Sequence, residues 1–212
     1  MAAAEQGPVA EGLFSRVKNI LLSPNAEWAR IDLEPATVKG LFLGYACILA
    51  AIGPIASLIG GQLFGLHILV VSYHPSLIGG ITRAVVSYVL SLGSVFVLGL
   101  IIDALAPTFG GVKNQVQAMK VAVYSSTASW VAGIFGLVPA LAILSLVGLY
   151  SLYLLYLGLP KLMKTPQDKA LGYTALVVVA YIVIFVVVAW VTGMVAAAGM
   201  GAAGVVTPTV VG

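Results

Sequence analysis

The chain has 212 residues, of which 61% are hydrophobic and only 8% charged, and its formal net charge is +3. Soluble domains average about 25% charged residues, so this composition excludes a soluble globular protein and indicates a membrane protein with several spans. The basic residues are too few and too dispersed for nucleic-acid binding. The single cysteine, Cys47, cannot form an internal disulfide and is expected to act as a small buried side chain.

The N-terminal region, residues 1–34, is predicted to be a cytoplasmic segment. Its start, MAAAEQGPVAEG, has no basic cluster and no apolar run directly after it, so no cleavable signal peptide is expected. In the stretch LFSRVKNILLSP, one helical face carries Leu13, Phe14, Val17, Ile20 and Leu21. This pattern predicts an amphipathic helix that is too short to span and either lies on the inner leaflet or packs on the protein's own bundle. A second short helix is expected at SPNAEWARI, capped by Ser23 or Asn25, with Trp28 at the membrane interface.

Five apolar segments follow, each long enough to cross a hydrocarbon layer of about 30 Å as a helix. Each is continuously apolar, which favours helices over barrel strands. We therefore expect an all-α fold: a five-helix transmembrane bundle over residues 35–198, with a flexible extracytoplasmic tail over residues 199–212. The predicted spans are Lys39–Gly61, Ile81–Ala106, Val116–Leu137, Pro139–Leu159 and Leu171–Ala198.

The distribution of lysine and arginine predicts the orientation of this bundle. With the N-terminus inside and the C-terminus outside, every basic residue except Arg83 falls on the inner side. Basic residues concentrate in cytoplasmic connections. The expected orientation is a cytoplasmic N-terminus and an extracytoplasmic C-terminus.

One carboxylate interrupts the second predicted span, in the stretch LGLIIDALAPTFGG. Asp103 lies about one turn from the inner end of this helix, near the headgroups, where Lys113 and Lys120 are candidate partners. Three interpretations are open. Asp103 anchors the helix end, handles a proton or cation, or contacts a cytoplasmic partner.

Other polar residues in the spans favour helix packing over chemistry. Small residues recur at helical spacing in the second span (Ser87, Ser91, Ser94) and in the third (Ser125, Ser129, Gly133), which predicts close helix contacts. Such faces also suit a homo-oligomer. In the fourth span, tyrosines recur every three residues (Tyr150, Tyr153, Tyr156), which indicates interface anchoring or hydrogen bonds between helices.

Enzyme signatures are absent from the sequence. The motifs GxSxG, GxxxxGK[ST] and HExxH do not occur. His67 and His74 lie seven residues apart in the outer connection GLHILVVSYHPS without a nearby cysteine or acid, which is a weak pattern for a metal site. We therefore expect no catalytic residues, no cofactor and no metal.

Three stretches resemble, in their order, the prokaryotic branch of the Yip (Ypt/Rab-interacting protein) membrane family. They are SPNAEWARI, LIIDALAPTFGGVKNQVQAMKVAVYSSTASW and VGLYSLYLLYLGLPKLMKTPQDKALGYT, and the resemblance extends over Phe14 to Val191. It implies a five-helix bundle with a cytoplasmic N-terminus, located in the bacterial cytoplasmic (inner) membrane. Eukaryotic relatives are associated with Rab GTPases and vesicle traffic. Their long cytoplasmic N-terminal region with an acidic-aromatic motif is not matched here, so that role does not carry over.

These patterns lead to two functional hypotheses. The first is a non-enzymatic integral membrane protein that organises membrane or recruits partners through its cytoplasmic face. The alternative is a small transporter, channel or lipid-moving protein. Expected partners are membrane lipids, an unidentified membrane or cytoplasmic protein, and a second copy of the chain. The candidate functional or interaction positions are Asp103, Lys113, Lys120, Trp28, Tyr150, Tyr153, Tyr156, Pro160 and Lys161.

Overall fold

Two short helices open the chain and fold against each other as a helical hairpin. A computed structural model describes residues 10–68, 71–73 and 76–202. Helix α1 spans Ala10–Leu22 and helix α2 spans Pro24–Leu33. Ser23 occupies the N-cap position of α2 as predicted, but its side chain makes no capping hydrogen bond. Pro24 at the first helical position suits the helix start, because its missing N–H would have no partner there.

The first long apolar helix runs over Val38–Phe64 and is not uniform. It comprises α3 (Val38–Leu41), a π-helical stretch (Phe42–Ala46), α4 (Cys47–Ala50) and α5 (Ile52–Phe64). The Thr37 side chain caps its start by accepting a hydrogen bond from the Gly40 backbone N–H at 3.0 Å. Gly65 ends it with φ 71°, a conformation that glycine adopts readily.

A small antiparallel hairpin separates this helix from the next. Strand β1 (Leu66–Ile68) pairs with β2 (Val71–Tyr73), with His67 opposite Ser72. Helix α6 (Leu77–Leu105) then begins at the N-cap Ser76 and continues as a 3-10 turn over Ala106–Phe109. The other long helices are α9 (Tyr150–Leu162), preceded by a 3-10 stretch over Pro139–Leu149, and α10 (Gln167–Ala202).

Four helices in the described part of the chain are long and apolar enough to cross a membrane, by length and composition. They are Val38–Phe64, Leu77–Phe109, Pro139–Leu162 and Gln167–Val195. Their side chains remain largely apolar on the outer surface, as lipid-facing helices require. The prediction of an all-helical membrane bundle is therefore confirmed.

The predicted span Val116–Leu137 is interrupted, so the count of five spans stays a prediction. It consists of α7 (Gln115–Ser125), α8 (Thr127–Ala132) and a 3-10 turn over Gly133–Leu137. The break at Ser126 coincides with hydroxyl groups that bond back to the helix carbonyls, including Ser126 to Ala122 at 2.8 Å. Such back-bonding bends helices.

The same segment nonetheless runs alongside α5 in very close contact. A Cβ atom added to Gly133 would lie 2.8 Å from Cα of Gly53, and one added to Gly60 would lie 2.5 Å from the carbonyl oxygen of Leu137. The contacts follow the same order in both segments, so the two run in the same direction. This confirms the predicted close helix contact at Gly133.

The connections meet at two opposite ends of the bundle. The Val112 N–H donates to the Met163 carbonyl at 2.8 Å, which joins the α6–α7 connection to the α9–α10 connection. We call this the basic end, comprising α2, residues 106–114 and residues 163–166; the β1–β2 hairpin marks the opposite, hairpin end. At the C-terminus, α10 includes residues 199–202 of the predicted tail, and residues 203–212 lie outside the described residues.

Candidate functional site

Trp28 holds α2 against the bundle at the basic end. Its side chain is 0% exposed and lies edge-on to Tyr124, with ring centroids 6.4 Å apart. Gly158 of α9 lies directly beneath the ring and leaves space for it. The prediction that Trp28 lies at the membrane interface is therefore wrong. Gly158 of α9 has no side chain, and the space beside it buries the indole ring inside the protein, away from water.

Helix α1 also packs on the protein rather than lying free on a leaflet. Ile20 is fully buried, and other apolar residues of the same face pack against the core. The Leu21 carbonyl accepts a hydrogen bond from the Tyr150 hydroxyl at 3.1 Å. Phe14 is the exception to the predicted apolar face, with 77% of its side chain exposed. Of the two interpretations of this helix, packing on the bundle is the one that the structure shows.

A charge cluster around Arg16 joins α1 to α2. Its guanidinium donates to Glu27 Oε1 and to Glu34 Oε2, each at 2.5 Å, and lies 5.6 Å from the ring centroid of Tyr124. Burial of the guanidinium disfavours its charged form. The hydrogen bond with Glu34 and the negative groups around it outweigh that effect, and the pKa of Arg16 is raised. Glu27 is buried, so Arg16 supplies the counter-charge that its carboxylate needs.

Lys120 of α7 fixes the C-terminal end of α2. Its ammonium group is buried and donates to the carbonyls of Ile31 at 2.8 Å and Glu34 at 2.6 Å. The last carbonyls of a helix have no partner within the helix, and a cation there also interacts favourably with the helix dipole. Lys120 therefore caps α2 across the bundle.

Further polar contacts surround this cap. Asp32 accepts from the Lys164 ammonium at 2.5 Å and from the Gln117 side-chain amide at 3.3 Å. Lys161 donates to the Asn25 carbonyl at 2.6 Å. Lys161, predicted as an interaction position, thus binds α2 within the chain. The α1–α2 unit is fixed to α7, α9 and the α9–α10 connection at once.

Asp103 lies in the last turn of α6, as predicted, but without either predicted partner. Lys120 binds α2 instead, and Lys113 is exposed on the α6–α7 connection. No lysine or arginine nitrogen of the described residues forms a salt bridge with Asp103. Its side chain is only 8% exposed, and Oδ1 has no hydrogen-bond partner among those residues. The predicted pairing was wrong because the neighbouring lysine finds backbone carbonyls, which residue spacing does not reveal.

The remaining predicted positions lie on α9. Tyr150 makes the expected hydrogen bond between helices, to Leu21, whereas the rings of Tyr153 and Tyr156 are exposed. Pro160 lies inside the last turn of α9. These residues share a helix but do not converge on a common site with Asp103.

A second feature, near the hairpin end, is a cleft of about 390 Å³ lined by residues of α5, α6, α8 and α10. Ser87, Ser91 and Ser94 line it together with Arg83. The predicted close packing of this serine face on another helix is confirmed only at Ser91, which accepts a hydrogen bond from Trp130 Nε1 of α8 at 3.3 Å. Elsewhere the face borders an open cleft. The sequence pointed to this cleft only through Arg83, because Arg83 is the one basic residue that does not fall on the predicted inner side.

The described residues contain no group of three histidine, cysteine, aspartate or glutamate side chains that could hold a metal ion. His74 lies outside those residues, and the side chain of His67 is not described either. Cys47 is half-buried and has a free thiol.

Comparison with known proteins identifies the family. A family model described as the Yip1 domain matches residues 18–207, which is most of the chain. No curated protein and no solved structure matches it. The matched range begins at Lys18 within α1 and includes α2 and all four apolar helices. The chain therefore belongs to the Yip1 domain family of membrane proteins.

Proposed function

We propose that this Yip1-family membrane protein acts without catalysis, by recruiting an acidic protein surface to the basic end of its bundle. In this proposal the basic end faces the cytoplasm of a bacterial cell and the hairpin end faces outward. The charge distribution along the sequence supports that orientation, because basic residues concentrate in cytoplasmic connections.

The observation that carries the proposal is the exposed charge at the basic end. Among the side chains that the structure describes on α1, α2, the start of α3, the two connections and the first turn of α10, the exposed charged residues are mostly cations, and Asp168 is the exposed acid. The exposed cations are Lys18, Arg30, Lys39, Lys113, Lys164 and Lys169. A surface of one sign attracts partners of the opposite sign and raises their association rate.

This surface is also rigidly supported. Trp28, Arg16 and Lys120 fix the α1–α2 unit to the bundle, so the exposed groups of α2 keep a defined geometry. Leu33, 84% exposed, stands among them and supplies apolar contact area. A preorganised surface with charged and apolar groups loses little freedom on binding.

The test is site-specific photo-crosslinking in the source membrane, with a crosslinking amino acid at Leu33 of the full-length chain. We expect an adduct of one defined mass that is lost in the charge-reversed variant Lys39→Glu/Lys113→Glu. The matched control, Lys39→Arg/Lys113→Arg, keeps the charge and should keep the adduct. An adduct that persists after charge reversal would contradict recruitment by the basic end.

Removal of residues 1–34 is not a useful variant for this purpose. Ile20, Trp28 and Ile31 are fully buried, so the truncation would uncover the core and perturb folding as well as binding. Point changes at exposed positions separate the two effects.

The alternative, a small transporter, channel or lipid-moving protein, has less structural support as a path across the membrane. Its two motivating features were Asp103 and the serine faces, and they lie apart: Asp103 is not among the residues that line the serine cleft. A transport path would need them in one continuous cavity.

A further inference from the structure

The cleft near the hairpin end has a property that recruitment at the basic end does not explain. Its volume of about 390 Å³ falls within the range of ligand pockets. Its lining in the described residues is mostly apolar, with Arg83 as the one charged side chain. It is therefore an open apolar groove with a single cation.

Arg83 has no anionic partner within the described residues, since the salt bridges there involve other cations. An arginine side chain stays protonated, and in a membrane protein it is costly unless it reaches the interface or an anion. An anion from outside the chain would supply the missing charge.

Arg83 lies near the hairpin end of α6. It lies in the second turn of the helix, six residues after Leu77, which corresponds to about 9 Å along the helix. A long cationic side chain near the end of a membrane helix extends toward the interface. Where α6 crosses a bilayer, the guanidinium is therefore within reach of lipid phosphates.

The groove below Arg83 suits an acyl chain. From Arg83 to Ser94 the helix advances eleven residues, or about 16 Å, close to half of a hydrocarbon layer of about 30 Å. The serine hydroxyls of α6 bond within the protein: Ser87 donates to the Ala84 carbonyl, Ser94 donates to the Leu90 carbonyl, and Ser91 accepts from Trp130 Nε1. Serines bonded in this way present a largely apolar wall, which favours a hydrocarbon chain over a polar solute.

We propose that this cleft binds one anionic phospholipid from the leaflet at the hairpin end, with its phosphate on Arg83 and an acyl chain beside Ser87, Ser91 and Ser94. A guanidinium binds phosphate oxygens through two parallel hydrogen bonds. A headgroup with net negative charge leaves no competing ammonium beside Arg83. The site lies at the opposite end from the recruiting surface and does not depend on it.

The experiment is native mass spectrometry of the full-length protein in detergent, delipidated and then titrated with phosphatidylglycerol. We expect one tightly bound lipid per chain, and a reduction in its affinity of about tenfold or more in Arg83→Gln. The matched control is Arg30→Gln, which removes an exposed arginine at the basic end and should leave this affinity unchanged. Equal affinities of Arg83→Gln and the wild type would overturn the proposal.

A second pair of variants tests the acyl-chain groove. Ser94→Leu fills the end of the groove farthest from Arg83. It should reduce the affinity for phosphatidylglycerol at least fivefold although Arg83 is unchanged. The control Gly93→Leu adds the same side chain on the same helix, at a position where an added Cβ meets no atom within 4 Å. Loss in both variants, or in neither, would contradict an acyl chain in the cleft.

The same titration is repeated with two other ligands, which separate the contribution of the phosphate from that of the acyl chains. Diacylglycerol has the chains without the phosphate and should bind at least tenfold more weakly. Inorganic phosphate has the anion without the chains and should not displace the lipid. Displacement by phosphate alone would mean an anion site rather than a lipid site, and equal binding of diacylglycerol would mean a groove without headgroup recognition. Thermal unfolding of each variant checks that the fold is intact.

Discussion

Gly158 of α9 lies directly against the indole ring of Trp28: a Cβ atom added to Gly158 would come within 2.7 Å of Cζ2 of the ring. Because the ring is fully buried, it has no free space into which to move. We expect Gly158→Ala to lower the free energy of unfolding by about 1–3 kcal/mol, the usual cost of overpacking. Thermal unfolding in detergent measures this effect.

The control for Gly158→Ala is Gly93→Ala on α6, where an added Cβ meets no atom within 4 Å. Alanine is favoured over glycine inside a helix by about 0.5–1 kcal/mol, so this variant should be as stable as the wild type or more stable. Equal stability of the two alanine variants would show that α9 does not hold Trp28 as described.

Trp28 itself should tolerate phenylalanine better than alanine. Its Nε1 has no hydrogen-bond partner among the described residues, so Trp28→Phe removes no such bond. Trp28→Ala leaves a cavity in the core and should cost about 3–5 kcal/mol. Unfolding measurements with Trp190→Ala, an exposed tryptophan of α10, provide the comparison, and a similar loss from that variant would count against a special role for Trp28.

The pair of Arg16 and Glu27 should be strongly coupled. Arg16→Gln leaves the buried Glu27 carboxylate with only the 3.4 Å contact to Arg30, and we expect a loss of about 3 kcal/mol. Glu27→Gln in the same chain removes the unpaired charge and should restore part of that loss. A double-mutant cycle measures the coupling; additive losses would argue against the pair.

The same pair predicts a flat pH dependence in the neutral range. Because the folded state raises the pKa of Arg16 above its ordinary value, the stabilisation is complete below that ordinary value and is lost only as the pH rises through the raised pKa. Arg16 stays protonated in both the folded and the unfolded state from pH 7 to about pH 10. Over that range, its titration should therefore not change the difference in free energy of unfolding between the wild type and Arg16→Gln.

The apolar architecture could be read from the sequence because it depends on local composition. A helix in lipid must be apolar along its length, so the predicted spans Lys39–Gly61 and Leu171–Ala198 largely coincide with the helices Val38–Phe64 and Gln167–Val195. Close packing at Gly133 followed from residue size alone. The same reasoning identified α1 as amphipathic but left open which surface its apolar face would cover.

The candidate sites were harder to predict because they depend on partners far apart in the chain. Lys120 binds carbonyls of Ile31 and Glu34, and backbone acceptors have no sequence signature. Trp28 is buried by a glycine 130 residues later. Arg83 was visible as an exception to the charge pattern, but the cleft beside it is a product of tertiary packing.

Lys120 should control the local stability of α2 more than that of the whole bundle. Lys120→Met keeps the length of the side chain but leaves the carbonyls of Ile31 and Glu34 without their donor, at a cost of about 1–3 kcal/mol. We expect faster amide exchange in α2 with little change in α10. The matched control is Lys113→Met, whose side chain is exposed; faster exchange in that variant too would point to a general charge effect.

Asp103→Asn distinguishes the three interpretations of this carboxylate. Its Oδ1 has no hydrogen-bond partner and it forms no salt bridge within the described residues, and a buried carboxylate oxygen without a partner is costly. We therefore expect the asparagine variant to be as stable as the wild type or slightly more stable in thermal unfolding. A loss above about 1 kcal/mol would instead support a helix-end anchor, because an anchor has an interaction to lose.

Unchanged stability with reduced proton or cation flux in proteoliposomes would assign Asp103 to ion handling. Unchanged stability and flux with loss of the crosslinked adduct at Leu33 would make it part of the recruiting surface.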